Sequence, residues 1–289
     1  MPSPSLAPAN RIGQVVGQRY QVLSLLGQGG QSAVFKAKDL RAGDEVALKI
    51  LKPGADAEST ERMFREARAL ASLHGTAAVR VLDQVWTDDG AMCLVNELLE
   101  GQPLDEILET LESRGGRSDV SSLVWLIDPV VETLSRAHEQ GIVHRDLKPA
   151  NIFVLSQVRG GGVRLLDFGF AKFTRMRALT AAGMVAGSPS YIAPEMWIEG
   201  RPVDSRVDVY GLGAVMFRCL AGRPPFTAAN LIVLRGQVLE SPRPSLHALR
   251  PDLPPEIDDW VVLTLAVDPE ARFQGVRAMW RAFRSVVGV

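Results

Sequence analysis

The sequence predicts an α+β chain in two unequal parts: a small, antiparallel, β-rich part with one main helix, then a larger and mostly helical part. Three observations carry this. Between Arg19 and Leu99, short runs rich in Val, Leu and Ile alternate with tight-turn residues, the signature of strands. Within them, residues 59–73 alone place apolar side chains at helical spacing. After Gly101 that spacing of three and four becomes the rule.

Residues 1–17 are rich in Pro, Ser, Ala and Gly without periodicity, and a flexible tail is expected there. The small lobe is expected over 18–98 and the large lobe over 99–289. YQVLSLLG, SAVFKAKDL and DEVALKILK read as antiparallel strands joined by GQGGQ and RAGD. In STERMFREARALASL, Met63, Phe64, Ala67, Leu70 and Ala71 share one helical face, with Glu66 beside it. AVRVLDQVW and AMCLVNELL complete the small lobe. Beyond Gly101, Leu123, Leu126, Ile127, Val130, Val131, Leu134 and Ala137 form a stripe that Gly141 ends, with Pro129 weakening it locally. NIFVLSQVRGGGVRLLDFG reads as a hairpin turning at its three glycines, and 203–222, 227–239, 255–266 and 274–287 read as helices.

Composition narrows the function classes. At 289 residues the chain can bury a substantial core. A formal net charge of −1 argues against a general nucleic-acid or membrane-surface binder, which would carry a basic excess. Apolar runs such as WVVLTLAV fall well short of the roughly 18–20 residues of a membrane span, and the N-terminus lacks a secretory apolar run. A cytoplasmic protein is expected. Cys93 and Cys219 lie in apolar segments and read as buried thiols of a reducing compartment.

The chemistry concentrates in VHRDLKPANIF (143–153) and LLDFG (165–169). Asp146, Lys148, Asn151 and Asp167 sit among Leu147, Ile152, Phe153, Val154, Leu165, Leu166 and Phe168, where polar groups are costly unless a charged ligand joins them. Phosphates and a divalent cation would offset that cost. Upstream, Gly27, Gly29 and Gly30 in LGQGGQSAV would let backbone N–H groups approach phosphates, although an ordinary hairpin turn has the same composition. Lys49 ends a strand-like VALK and would be poorly solvated there without a partner, for which Glu66 is the candidate.

Taken in order, LGQGGQSAV, VALK, HRDLKPAN, DFG and APE (193–195) resemble the motif series of the protein kinase family, across nearly the whole chain. The resemblance implies a two-lobed protein-kinase fold and transfer of the γ-phosphate of ATP with Mg2+, or alternatively Mn2+, to protein hydroxyls. It implies that Lys49, paired with Glu66, holds the α- and β-phosphates. Gly27, Gln28, Gly29 and Gly30 would cover the phosphates, Val34 and Ala47 would line the adenine, and Glu97, Leu98 and Leu99 would offer it their backbone. Asp146 would be the catalytic base, Lys148 would contact the γ-phosphate, and Asn151 and Asp167 would hold the metal. Ser32 departs from the family's third glycine. Asn96 stands at the back of the pocket, where an apolar residue or Thr is commoner.

HRDLKPAN accompanies serine/threonine specificity in the family, and GSPSYIAPE resembles the segment that receives the acceptor peptide, with Ser188 in a position usually held by threonine. Glu195 with Arg272 resembles a structural ion pair, and Asp208 resembles the helix residue that holds the catalytic loop. Short spacings and the doubled glycine look closest to bacterial members of the eukaryotic-like kinases. Arg145 before the base suggests control by phosphorylation, with Thr180 the leading site and Thr174 the other hydroxyl between DFG and GSP. Protein substrates are the expected partners, with a homodimer for phosphorylation in trans as an open option. Two other readings stand beside this one: a nucleotide-binding pseudokinase acting as scaffold, and a small-molecule phosphotransferase, against which GSPSYIAPE argues.

Overall fold

Strand alternation decides where each side chain of the first part points. The computed structural model describes residues 11–52, 54–168 and 189–289. Contacts divide the chain into two units, Met1–His74 with Ala78–Glu100, and Gly75–Ala77 with Gly101–Val289.

The first unit is a six-stranded antiparallel sheet in the order β1-β2-β3-β4-β6-β5. Its strands are β1 (Val15–Val16), β2 (Tyr20–Gln28), β3 (Ser32–Asp39), β4 (Glu45–Leu51), β5 (Val81–Trp86) and β6 (Met92–Glu97), with helix α1 (Ala57–Ser72) between β4 and β5. Val46, Leu48 and Ile50 of β4 join Phe35, Ala37, Cys93 and Val95 in one core. Leu51, Met92 and Leu94 turn to the opposite face and pack with Met63 and Ala67 of α1. With a period of two, Lys49 therefore shares the face of Leu51, toward α1. The sheet also curls. Arg19 binds Asp39 at 2.6 Å and Asp83 of β5 at 3.3 Å, and the Tyr20 hydroxyl donates to Asp83 at 2.8 Å.

Structure begins earlier than the composition suggests. Residues 11–17, expected to be tail, hold buried Arg11 paired with Asp89 at 2.6 Å, and β1 pairs Val15 with Gln21 and Val16 with Tyr20. A two-residue strand is too short to show alternation.

In the second unit, β7 (Gly101–Pro103), β8 (Ile152–Leu155) and β9 (Val163–Leu165) form a small antiparallel sheet. Only glycine fits at 101: its φ is +150°, and a Cβ would lie 2.0 Å from the Val154 carbonyl oxygen. Helices α2 (Leu104–Ser113), α3 (Val120–Glu139), α4 (Arg206–Ala221), α5 (Leu231–Glu240), α6 (Leu246–Leu249), α7 (Ile257–Thr264) and α8 (Val276–Val287) make up the rest. The α3 stripe from Leu123 to Ala137 is buried as expected, and the helix continues through Pro129, whose cost is one backbone hydrogen bond set against that burial. Thr133 ties α3 to the short 75–77 stretch by accepting from the Ala77 amide at 3.0 Å.

The 227–239 helix starts only at Leu231, because the Asn230 carboxamide oxygen accepts from the Val233 amide and sets the cap there. α4 is buried on nearly all sides and stops at Gly222, in the left-handed region. α8 lays Trp280 and Phe283 against α7, with Trp260 edge-on to Phe283 at 5.2 Å. Its charged side returns to α3, where Arg277 donates to Glu132 at 2.9 Å, and the buried Trp280 also reaches α3 by donating from Nε1 to Asp128 at 2.6 Å. Cys93 and Cys219 are free and fully buried, and burial pushes each thiol up to about 12. No helix among the described residues is long and apolar enough to cross a membrane.

Candidate active site

Each unit carries its own set of polar groups. In the first, β2 and β3 run antiparallel through the glycine turn, with Gly27 opposite Val34 and Gln28 opposite Ala33. The Gly29 amide donates to the Ser32 carbonyl at 2.8 Å. A Cβ on Gly27 would meet nothing within 4 Å, and one on Gly29 only the Ser32 carbonyl at 3.8 Å. Packing within the fold therefore does not demand glycine at either position.

Lys49 lies opposite Val34 on one side and Leu94 on the other, in the middle of the sheet. Its Nζ reaches Glu66 Oε1 at 2.6 Å, with side-chain exposures of 15% and 13%. The pair expected from the sequence is thus formed. Ala47 is buried opposite Asn96. The Asn96 Oδ1 is buried and has no hydrogen-bond partner among the described residues. Glu97 is more committed than the sequence suggests: its amide donates to the Arg80 carbonyl at 3.0 Å and its carboxylate takes the Arg80 amide at 2.9 Å. Leu98 and Leu99 are half-buried beyond it.

In the second unit, α4 organises the HRDLKPAN loop. Asp208, 1% exposed, accepts the amide of His144 on Oδ2 and that of Arg145 on Oδ1, both at 2.8 Å. Those two bonds hold Arg145 at φ +63°, in the left-handed region that side chains other than glycine's rarely adopt. His138 of α3 adds a third contact, Nε2 to Asp208 Oδ2 at 2.8 Å. Nothing in the sequence singled out His138.

His144 is fully buried, and its tautomer follows from its neighbours. Nδ1 accepts from the Asp146 amide at 3.2 Å, so Nε2 carries the proton and donates to the Leu166 carbonyl at 2.9 Å. Burial keeps the ring neutral by pulling its pKa down, against the opposing pull of Asp208, Asp146 and Asp167.

Asp146 is oriented from two sides. The Asn151 Nδ2 donates to its backbone oxygen at 2.7 Å and to Oδ2 at 2.9 Å, while Lys148 Nζ lies 3.2 Å from the same Oδ2. Because its amide nitrogen is used in this way, Asn151 has its carboxamide oxygen left to offer elsewhere. The Asn151 carbonyl also accepts the Leu166 amide at 2.8 Å, which ties the loop to the strand leading into Asp167. Asp167 is exposed, at φ +47°, while Phe168 is buried against His144 with ring centroids 4.8 Å apart. Among the described residues no group of three or more His, Cys, Asp or Glu could hold a metal by itself. One amide oxygen and one carboxylate do suit magnesium, which usually binds one or two carboxylates and completes its shell with phosphates and water.

Further along α4, Gly211 makes room for two segments at once. A Cβ there would fall 3.0 Å from Leu147 Cβ and 3.6 Å from the Tyr191 carbonyl oxygen. Glu195 and Arg272 form a two-bond fork at 2.7 and 2.6 Å, with exposures of 2% and 0%. Gly169, Thr174, Thr180, Gly187 and Ser188, all singled out from the sequence, lie outside the described residues.

A strand-borne lysine paired to a helix glutamate, and a loop presenting Asp146, Lys148 and Asn151 ahead of Asp167, are the working parts of phosphoryl-transfer proteins. Residues 20–282 match the protein kinase domain, and the chain belongs to the protein kinase family. It is 34% identical over 270 residues to the serine/threonine-protein kinase PknA of Mycobacterium tuberculosis, covering 91% of this chain and 60% of PknA. PknL of the same organism is 33% identical over 267 residues (92% of this chain, 65% of PknL), and pkn3 of Myxococcus xanthus 33% over 270 residues (90% and 48%). The chain thus spans less than two thirds of the length of these relatives. The solved PknI kinase domain of M. tuberculosis superposes with a TM-score of 0.74 at 28% identity, covering 99% of this chain and all of that one.

Proposed function

We propose that this chain is an active serine/threonine protein kinase, transferring the γ-phosphate of magnesium-ATP to serine and threonine hydroxyls of proteins. The observation that carries the reading is the Asp146 carboxylate held between the Asn151 amide and the Lys148 ammonium, on a loop fixed by Asp208. An acid placed in this way can orient an acceptor hydroxyl and take up its proton.

The other roles follow from the chemistry of each group. Lys49, aimed by Glu66, holds the α- and β-phosphates. Gly27, Gln28, Gly29 and Gly30 present backbone over the phosphates, which accounts for Gly27 and Gly29, where packing does not require glycine. Val34 and Ala47 flank the adenine, and Glu97 and Leu99 meet it through their backbone. Asn151 and Asp167 hold magnesium, which when bound neutralises charge on the phosphate oxygens. The acceptor oxygen bonds to the γ-phosphorus as the bond to the bridging oxygen of ADP breaks. Lys148 stabilises the migrating charge, and the hydroxyl proton passes to Asp146. Thr180 is the autophosphorylation site in this reading, its phosphate pairing with Arg145.

The test is transfer of labelled γ-phosphate with magnesium by the wild type and by Asp146→Asn, with the modified residues mapped by mass spectrometry. Phosphoserine or phosphothreonine, at Thr180 among other sites, that vanishes in the variant is the expected result. ATP binding without transfer to any protein would overturn the reading in favour of a nucleotide-binding scaffold.

A further inference from the structure

Arg218 is a charged side chain near the end of α4, a helix whose other residues from Val207 to Leu220 are buried. Its guanidinium divides between two elements. Nε and Nη2 bind Glu112 at the end of α2, at 2.7 and 2.8 Å, and Nη1 donates to the Tyr191 hydroxyl at 3.2 Å. Side-chain exposures of 11% for Arg218 and 22% for Glu112 make this a largely desolvated fork. Tyr191 is 5% exposed, and burial pushes its phenol up to about 12, so it meets Arg218 as a neutral hydroxyl.

Tyr191 is gripped twice by the same helix. Its backbone oxygen sits over Gly211 and its hydroxyl meets Arg218, seven residues further on and about 10 Å along the axis, on the same helical face. Asp208, three residues before Gly211, holds the catalytic loop. One helix face therefore sets the PSYIAPE segment and the Asp146 loop in register with each other.

We propose that the Glu112–Arg218–Tyr191 linkage is a positioning device for the protein acceptor, fixing the segment that seats the peptide relative to Asp146. The proposal rests on the reading of this chain as a protein kinase whose PSYIAPE segment receives the acceptor. Arg218 touches neither nucleotide nor acceptor in this scheme. Its loss is felt through Tyr191, and a misplacement of about 1 Å at the acceptor can cost about 100-fold in rate.

The full chain is assayed with myelin basic protein as acceptor, comparing wild type, Arg218→Met, Tyr191→Phe and the charge-exchanged Arg218→Glu/Glu112→Arg. Arg218→Met is expected to lower kcat/KM for the acceptor by about tenfold or more, through kcat as well as acceptor KM, while KM for ATP stays within about twofold. Tyr191→Phe keeps the ring and the ion pair and should show a smaller shift of the same kind. The exchanged pair should recover most of the loss, since a tyrosine hydroxyl can donate to Glu as readily as it accepts from Arg. Equal shifts in both KM values, or an unchanged kcat/KM for the acceptor, would overturn the proposal. If Arg218→Met does not fold, Tyr191→Phe decides by the same criterion.

Amide hydrogen exchange over residues 190–197 supplies a readout that needs no turnover. It should be at least about tenfold faster in Arg218→Met or, failing that variant, measurably faster in Tyr191→Phe. Unchanged exchange sinks the linkage even in an active enzyme. A wild type that phosphorylates nothing sinks the kinase reading instead, and exchange still decides the linkage.

Discussion

Two ion pairs in this molecule have nearly equal bond lengths and opposite construction. Lys49 meets Glu66 through one ammonium and one carboxylate oxygen at 2.6 Å, and both side chains keep more than a tenth of their exposure. Arg272 meets Glu195 through a fork at 2.7 and 2.6 Å, is itself fully buried, and also donates to the carbonyls of Ala266, Val267 and Arg206. A planar guanidinium can fill every donor site at once in a fixed geometry, whereas an ammonium is a compact charge on a flexible stem. The first pair can share its cation with a phosphate. The second holds a segment in place and has nothing to spare.

The largest expected effect comes from breaking the second pair. Arg272→Met strands a buried carboxylate and three carbonyls, and should cost about 3–5 kcal/mol of stability, seen as a fall in Tm on the order of 10 °C. Glu195→Met/Arg272→Met should recover only part of this, because the Ala266, Val267 and Arg206 carbonyls remain without their donor. Full recovery would show that the carbonyl contacts are dispensable. Breaking the first pair should do the reverse. Lys49→Met should lower kcat by about 100- to 1000-fold, as loss of one electrostatic contact to the reacting phosphates does, while Tm moves by less than about 2 °C, as suits a part-exposed pair. A Tm loss like that of Arg272→Met would mean the two pairs are alike after all.

The contrast also marks what the sequence could show. Lys49 and Glu66 were legible because a strand lysine needs a partner, the helix period sets Glu66 beside the apolar face and the family pairs the two, and Glu195 with Arg272 was legible through motifs in the family's order. Other partners were not. Arg80 on Glu97, His138 on Asp208 and Arg218 on Glu112 join residues 17, 70 and 106 apart, and each alone looks like an ordinary surface charge or a spare histidine. No local period reports such pairings, since they depend on how elements pack. Element ends were missed for a related reason: Asn230 fixes the start of α5 by a single cap bond, and Arg11 is ordered by Asp89, 78 residues away.

His144 resolves burial in a third way, by giving up its charge, and this predicts the smallest effect. Its folded pKa lies below the ordinary 6.5, with burial the leading cause. Between the folded and unfolded pKa values the unfolded chain binds the extra proton, so stability rises with pH through that interval and is lost as pH falls below about 6.5. One proton contributes a slope of at most about 1.4 kcal/mol per pH unit. His144→Phe should lower stability at pH 7, because the Leu166 carbonyl and the Asp146 amide lose their partner, yet flatten the decline between pH 7 and pH 5 relative to the wild type. Denaturant unfolding at several pH values measures both. Parallel curves for the two proteins would mean that His144 takes up its proton as readily in the folded state as in the unfolded one, and the neutral ring that binds Leu166 through Nε2–H would give way to an imidazolium below about pH 6.5.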